Sequence, residues 1–342
     1  MSKVDEIGAE LKKGAGIDPS TISEKLKSAE VHITDEYAEP DPLLTCCMQL
    51  VLSRGNIMMV TGKPKAFKTF FTSAVASAII EDSILNMSGG DNVKSVLFID
   101  TEQSKGHCHK VLSRIYRLCG WDLTKVDNRL TMLSLREQPN TERLQSTLQA
   151  IETYHPDIVI LDGIRDIVVD FNSSEESSRV IGQLMAYSTI YNCGILCVLH
   201  QNKADNNARG HLGTEGCNKS ETVLQIVNNG GIASVEPIYC RNREFDSFNF
   251  RVNEQGLPEL CDPPKVEPKR DELCALMTKA MFGSSWIARK ELETKIMTIT
   301  GKAIRTAQRK IADAITANVL KINKAGYLIL VDNVEVQEDL LI

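Results

Sequence analysis

From Gly55 to about Val252, short apolar runs rich in Val and Ile alternate with longer segments whose apolar positions recur at helical spacing. The runs are Ile57 to Val60, Ser95 to Asp100, Leu130 to Leu133, Ile158 to Asp162, Gly194 to His200 and Ile232 to Tyr239. Near-continuous apolar strands separated by helices predict an α/β domain with a largely parallel sheet covered on both faces. Residues 1 to about 44 break this pattern. Alternating Lys and Glu, the Ser/Thr cluster Ser20 to Ser23 and the acidic, proline-containing stretch Asp35 to Pro42 predict a short helix followed by a tether.

The pattern stops again between Gly256 and Pro268, where Pro258, Pro263, Pro264 and Pro268 fall without periodicity. This divides the chain into an arm (1–44), a core domain (45–260), a linker (261–268) and a C-terminal domain (269–342). In the last of these, Asp271 to Met281, Trp286 to Met297 and Ala303 to Leu320 carry helical spacing, and Tyr327 to Val331 reads as a strand. Three helices and a β-hairpin predict a winged-helix-like domain.

Composition adds bounds. The 342 residues are 42% hydrophobic, enough for one large core and a smaller second one. No internal repeat is evident. The longest apolar stretch, Phe70 to Ile80, is interrupted by Thr72, Ser73 and Ser77 and is too short to span a membrane, and the N-terminus carries no apolar signal region. A soluble, cytoplasmic protein without membrane contact is expected. The ten cysteines are scattered and form no C-x-x-C pair, so they read as small core residues; in His107, Cys108 and His109, neighbours on a helix point in different directions and do not suit a metal. The net charge of −6 does not announce nucleic-acid binding, yet Arg289 to Lys324 holds nine basic residues against three acidic ones. A basic part hides in an acidic whole.

The clearest chemical signal is Val60-Thr-Gly-Lys-Pro-Lys-Ala-Phe-Lys-Thr69, between an apolar strand and an apolar helix. It matches the phosphate-loop pattern G-x-x-x-x-G-K-[ST] except that Phe67 stands at the second glycine. Gly62 lets the chain turn, Lys68 would reach the β- and γ-phosphates, Thr69 would ligate Mg²⁺, and the next helix would aim its positive end at the phosphates. The candidate ATP-binding segment is Gly62, Lys63, Pro64, Lys65, Ala66, Phe67, Lys68, Thr69 and Phe70. A side chain at position 67 is a departure, tolerable if Phe points outward. Two apolar strands then end in carboxylates, Val96-Leu-Phe-Ile-Asp-Thr-Glu102 and Ile158-Val-Ile-Leu-Asp162. Alone, each acid reads better as a turn or cap residue; in this order after a phosphate loop, Asp162 suits the Mg²⁺ shell and Glu102 the polarisation of water. His200 and Gln201 end a further strand at the edge where α/β sheets bind ligands. The polar segment Asn202 to Ser220 that follows reads as a long functional loop.

This order of motifs resembles the RecA-like P-loop ATPases, and within them the RepA-like hexameric helicase and mobile-element AAA-type ATPase group, over roughly Leu44 to Leu260. The form Gly-Lys-Pro-Lys-x-x-Lys-Thr-Phe is similar to a loop variant of that group. The resemblance implies a phosphate loop at Gly62, Lys68 and Thr69, a catalytic glutamate at Glu102, a metal-holding Asp162 and a γ-phosphate sensor at Gln201 beside His200. It implies that Arg243, with Arg241 beside it, reaches into a neighbouring subunit's site. The segments Asp170 to Ser178 and Asn202 to Ser220, the latter with Lys203, Arg209 and Lys219, correspond to DNA-facing loops, although the first is acidic here. In a winged helix, Lys302, Arg305, Arg309 and Lys310 on the third helix and Lys321 and Lys324 on the wing would contact DNA; Lys302, Arg305 and Arg309 fall at i, i+3 and i+7. A partner-docking domain with a solvated basic face is the competing reading.

The expected protein is thus an ATP- and Mg²⁺-dependent motor or switch, a homo-oligomer with six subunits as the expected ring. It would act on single-stranded DNA through the ring or duplex DNA through the winged helix, in replication or transfer of a plasmid or mobile element, with a primase, initiator or recombinase as a further partner. The alternative is a non-catalytic, ATP-gated DNA-binding regulator in which Phe67 has removed turnover. A small-molecule kinase would need a lid and an acceptor pocket that the sequence does not suggest.

Overall fold

Side chains of the central strands alternate between two separate cores, and this alternation generates the layered architecture. The computed structural model describes residues 26–27, 29–36, 41–81, 83–91, 94–201, 210–263 and 270–331. They belong to two units, Met1–Asp262 and Pro263–Ile342.

In the first unit the elements run β1 (Pro42–Cys46), β2 (Gln49–Ser53), β3 (Ile57–Gly62), α1 (Lys68–Glu81), β4 (Met87–Gly89), β5 (Val96–Asp100), α2 (Lys105–Leu118), β6 (Leu130–Ser134), α3 (Asn140–Tyr154), β7 (Ile158–Asp162), a single 3-10 turn (Ile164–Ile167), α4 (Ser174–Ile190), β8 (Gly194–His200), α5 (Gly210–Lys219), β9 (Thr222–Asn229), β10 (Ile232–Cys240), β11 (Phe248–Val252) and β12 (Pro258–Cys261). Nine strands make one sheet in the order β12-β11-β10-β9-β3-β8-β7-β5-β6. The six from β9 to β6 are parallel, and β10, β11 and β12 extend the sheet antiparallel. The protein is therefore α/β with a large, mostly parallel sheet.

On one face Met58, Val60, Phe98, Ile160, Leu196 and Leu224 pack against Phe71, Val75 and Ile79 of α1 and Ile115 of α2. On the other, Met59, Ile99, Leu161, Cys197 and Val223 pack against Leu148 of α3, Leu184 of α4 and Leu212 of α5. Successive residues of each strand feed opposite cores, the period-two rule applied to a sheet buried on both sides. Helix α1 carries almost no polar face because it lies under both the sheet and the outer elements; Ser73 and Ser77 within it satisfy their hydroxyls on the carbonyls of Thr69 (2.7 Å) and Ser73 (2.9 Å).

Several sequence expectations are corrected. β1 spans the expected boundary at residue 44 and pairs with β2 and β4 in a small sheet whose Leu43, Leu44, Val51 and Leu52 are fully buried. The strands β9, β11 and β12 lack clear alternation and were not among the expected runs. Of the Asp170 to Ser178 loop, the residues from Ser174 onward are the first turn of α4, capped by Ser173 Oγ accepting from the Glu176 amide. The end of the Asn202 to Ser220 segment is helix α5 rather than loop. Lys203, Arg209, most of the expected arm and most of the expected linker lie outside the described residues.

The second unit comprises α6 (Arg270–Ala280), α7 (Arg289–Thr300), α8 (Ile304–Thr316), β13 (Leu320–Ile322) and β14 (Leu328–Leu330). Leu273, Met277, Leu292, Ile296, Ile311, Leu320 and Leu328 form its core. The expected helix through Leu320 stops at Thr316 because Asn318 turns left-handed (φ 54°) and sends the chain into β13. The expected helix start at Trp286 is extended instead: Ile287 pairs with Leu328 through two backbone hydrogen bonds of 3.0 and 2.9 Å. Among the described residues no helix is long and apolar enough to cross a membrane, and none of the ten cysteines is in a disulfide.

Phe98 is fully buried at the centre of the first core. Phe98→Ala is expected to lower unfolding stability by about 3–5 kcal/mol in a denaturant titration, and a loss below about 1 kcal/mol would contradict this packing.

Candidate functional site: a phosphate loop facing three strand ends

The parallel strands end together, and their carboxyl-terminal ends carry the polar residues. In register, Gly62 of β3 lies beside His200 of β8, and Asp100 of β5 beside Asp162 of β7. Because β8 is inserted between β3 and β7, its terminal histidine sits between the phosphate loop and the acidic strands.

The loop from Gly62 to Phe67 leads into α1. A Cβ on Gly62 would lie 2.6 Å from the Ile226 carbonyl oxygen of β9, so no side chain fits there. Phe67 takes the left-handed conformation itself (φ 66°), as does Lys65 (φ 63°). The backbone thus keeps the turn that a glycine would provide, at a strain of roughly 1–2 kcal/mol. The ring is half-buried, edge-on to Phe70 with centroids 5.7 Å apart. Asn228 Nδ2 donates to the Lys65 carbonyl (3.0 Å) and steadies the loop from β9.

Lys68 is 6% exposed. Its ammonium donates to the carbonyls of Gly62 (2.8 Å) and Lys63 (2.9 Å) and lies 2.9 Å from His200 Nδ1. With Lys68 donating, Nδ1 accepts, and the ring proton sits on Nε2, which lies 3.5 Å from Glu102 Oε2. Lys68, His200 and Glu102 form one chain across three strand ends. Burial pushes the lysine down to about 8, against the opposing pull of Asp162 and Glu102. The hydrogen bond from His200 holds Glu102 below the usual carboxylate range despite partial burial.

Thr69 Oγ1 donates to Asp162 Oδ2 at 2.9 Å. Burial raises Asp162 to about 7, Asp100 and Glu102 add repulsion, and the Thr69 bond opposes. A hydroxyl and a carboxylate side by side are a hard-oxygen donor pair, which fits Mg²⁺. These groups face a cavity of about 560 Å³ lined also by Phe67, Phe70 and Arg114.

Three participants were not singled out in the sequence. Asp100, buried, accepts from the amides of Glu102 (3.0 Å) and Gln103 (2.7 Å), shaping the turn that presents Glu102; its place two residues before that glutamate is the only sequence signal. Thr101 donates to the Gly163 carbonyl (3.0 Å), tying that turn to the one after Asp162. Arg114 of α2 stacks on Phe70, 3.7 Å from the ring centroid, and donates to Ser73 Oγ (3.2 Å). Burial alone lowers it to about 10, since no carboxylate offsets its charge, so the cavity holds, beside Lys68, a further buried cation facing the phosphate-loop helix.

Other expected residues fall elsewhere. Gln201 is buried, donates its backbone amide to the Gly62 carbonyl (3.1 Å) and lines a recess with Lys63, Lys65 and Ala66 on the phosphate loop, whereas His200 lines the main cavity. Arg241 and Arg243 follow β10, whose end pairs with the start of β9 at the sheet edge opposite the phosphate loop. Both are exposed, on a segment anchored by Glu221, whose carbonyl accepts from the Arg241 amide (2.9 Å) and whose carboxylate accepts from Asn242 (2.9 Å). Lys219 is exposed at the end of α5. In the second unit Arg305 and Arg309 share an exposed face of α8 and Lys310 is half-buried, but Lys302 precedes the helix; Lys321 lies on β13 and Lys324 in the hairpin turn.

Residues 22–206, just over half of the chain, match the family described as AAA domain. The chain belongs to that family of P-loop ATPases. Its large, mostly parallel sheet fits a RecA-like P-loop core, and the family supports nucleotide binding. The matched part of this AAA-domain protein contains the phosphate loop, Glu102, Asp162 and His200; Arg241, Arg243 and the second unit fall beyond it. Among curated proteins none matches the chain.

The raised Asp162 value has a direction that can be measured. Its folded value lies above the ordinary 3.8, so its contribution to stability is fully present below about pH 4 and is lost as pH rises through about 7. In nucleotide-free protein, Asp162→Asn should therefore gain melting temperature relative to wild type between about pH 5 and pH 8. A difference that is flat or shrinks over that range contradicts the assignment.

Proposed function

We propose that the chain hydrolyses ATP as a DNA-associated motor or switch of the RepA-like group, in replication or transfer of a plasmid or mobile element. The observation that carries this reading is the Lys68–His200–Glu102 chain beside the Thr69–Asp162 pair. Glu102 is held ionised, which suits it to orient and polarise a water for in-line attack on the γ-phosphate. Lys68 would exchange its carbonyl partners for phosphate oxygens, and His200 would transmit that change to Glu102. Thr69 and Asp162 would hold Mg²⁺, which when bound neutralises charge on the phosphate oxygens.

Arg243 and Arg241 lie at the sheet edge away from their own phosphate loop, which favours a role in a neighbouring subunit's site and hence a ring, six subunits being the group's form. The α7–α8 pair followed by the β13–β14 hairpin supports a winged-helix-like reading of the second unit. Among the described residues Arg305, Arg309, Lys321 and Lys324 have no acidic partner, which favours duplex contact through α8. That basic unit also supports the second reading, an ATP-gated DNA-binding regulator without turnover. The left-handed Phe67 backbone weighs against it, because the loop turn survives the substitution.

Steady-state ATP hydrolysis with and without DNA separates the two. The motor reading expects DNA-stimulated turnover that falls about 10²–10⁴-fold in Lys68→Ala and Glu102→Gln. It expects Arg243→Ala to bind ATP normally while turnover falls on the order of 10³-fold. ATP binding with no turnover in wild type would leave the regulator, and equal loss of binding and turnover in Arg243→Ala would remove the finger.

A further inference from the structure

The hairpin of the second unit carries a feature that phosphate contact alone does not explain. Trp286 and Tyr327 stand together with ring centroids 4.5 Å apart, 56% and 36% exposed. Their neighbours Ile287 and Leu328 pair across the strands and are buried in the core. Because successive strand residues face opposite sides, Trp286 and Tyr327 are turned outward from that core. Ile329 and its cross-strand partner Lys321 share this outer face, and Lys324 stands in the turn, which Asn323 ties down by accepting from the amides of Ala325 and Tyr327 (3.0 Å each).

Exposing two aromatic rings side by side forfeits burial that each could supply, so the arrangement calls for an occupant. Charge selects it. Glu291 and Glu293, two of the three acids between Arg289 and Lys324, are paired with Lys295 (3.1 Å) and Arg289 (3.4 Å), whereas among the described residues Lys321 and Lys324 have no acidic partner. An aromatic platform bordered by free cations matches a ligand with a flat π-face and an adjacent anion.

We propose that the outer face of this hairpin is a stacking site for unpaired bases of single-stranded nucleic acid, with Trp286 and Tyr327 as the platform and Lys321 and Lys324 receiving the neighbouring phosphates. The inference deepens, and rests on, the nucleic-acid reading of the second unit. It gives the hairpin a strand preference that duplex docking by α8 does not have. A protein of this design would grip the junction at which a duplex opens.

The full-length chain has two tryptophans, Trp121 and Trp286, so Trp121→Phe leaves Trp286 emission as a local readout even where the first unit also binds DNA. Oligodeoxythymidine should quench that emission. In anisotropy titrations Trp286→Ala and Tyr327→Ala should each weaken oligodeoxythymidine binding by about 5- to 100-fold, Trp286→Phe should retain most of it, and blunt duplex binding should be unchanged. Unquenched emission at saturating oligonucleotide, wild-type affinity in both alanine variants, or a change of subunit assembly in their sedimentation instead of their DNA affinity would overturn the proposal. Arg305→Ala with Arg309→Ala isolates the parent reading: loss of duplex binding alone supports both, and retained duplex binding with Trp286 still quenched removes duplex docking while leaving the stacking site.

Discussion

A lysine ammonium taken out of water sets the terms for the first unit. Lys68 lies at the junction of β3 and α1, and the fold satisfies it with two loop carbonyls and a histidine rather than with a carboxylate. A buried cation without an adjacent anion is costly, and here the cost is visible in a lysine pushed down to about 8. Asp162 shows the same condition with opposite sign. Arg114 adds a third charge that burial disfavours and no carboxylate offsets. A site assembled this way is complementary to a metal-bound polyphosphate and uncomfortable without one.

Strand order makes the arrangement possible. Inserting β8 between β3 and β7 separates the phosphate loop from the Asp162 strand by one strand width and fills that gap with His200. The two cores above and below the sheet then hold the three strand ends in register, so the Lys68–His200–Glu102 chain depends on packing far from the cavity. Asp100 and Thr101 complete the support by fixing the turns on which Glu102 and Asp162 are presented. Charged groups in poor solvation are presented here by strands packed on both faces.

Much of this was legible in the residues. Six of the parallel and adjoining strands announced themselves as apolar runs, since burial on both faces demands them, and the phosphate loop and acids followed in order. The strands β9, β11 and β12 did not, because Gln225, Asn249 and Glu259 interrupt their apolar pattern; the Asn229-Gly230-Gly231 turn, with both glycines at positive φ, was the available signal. The small β1–β2–β4 sheet was hidden behind a polar, proline-containing stretch. Which of the pair at the end of β8 faces which space was not legible, because adjacent residues there diverge: His200 lines the main cavity and Gln201 the recess beside Lys63 and Lys65. Arg114 was invisible because an arginine on an amphipathic helix ordinarily reads as solvated.

The central claim is that the free site stores uncompensated charge that metal-bound ATP relieves. Calorimetric titration of a non-hydrolysable Mg·ATP analogue at about pH 7, in buffers of different ionisation enthalpy, tests it directly. With Asp162 near 7 and Lys68 near 8, binding should release a net fraction of a proton from Asp162, and Asp162→Asn should abolish that release. Binding heats independent of buffer in the wild-type protein would contradict the account.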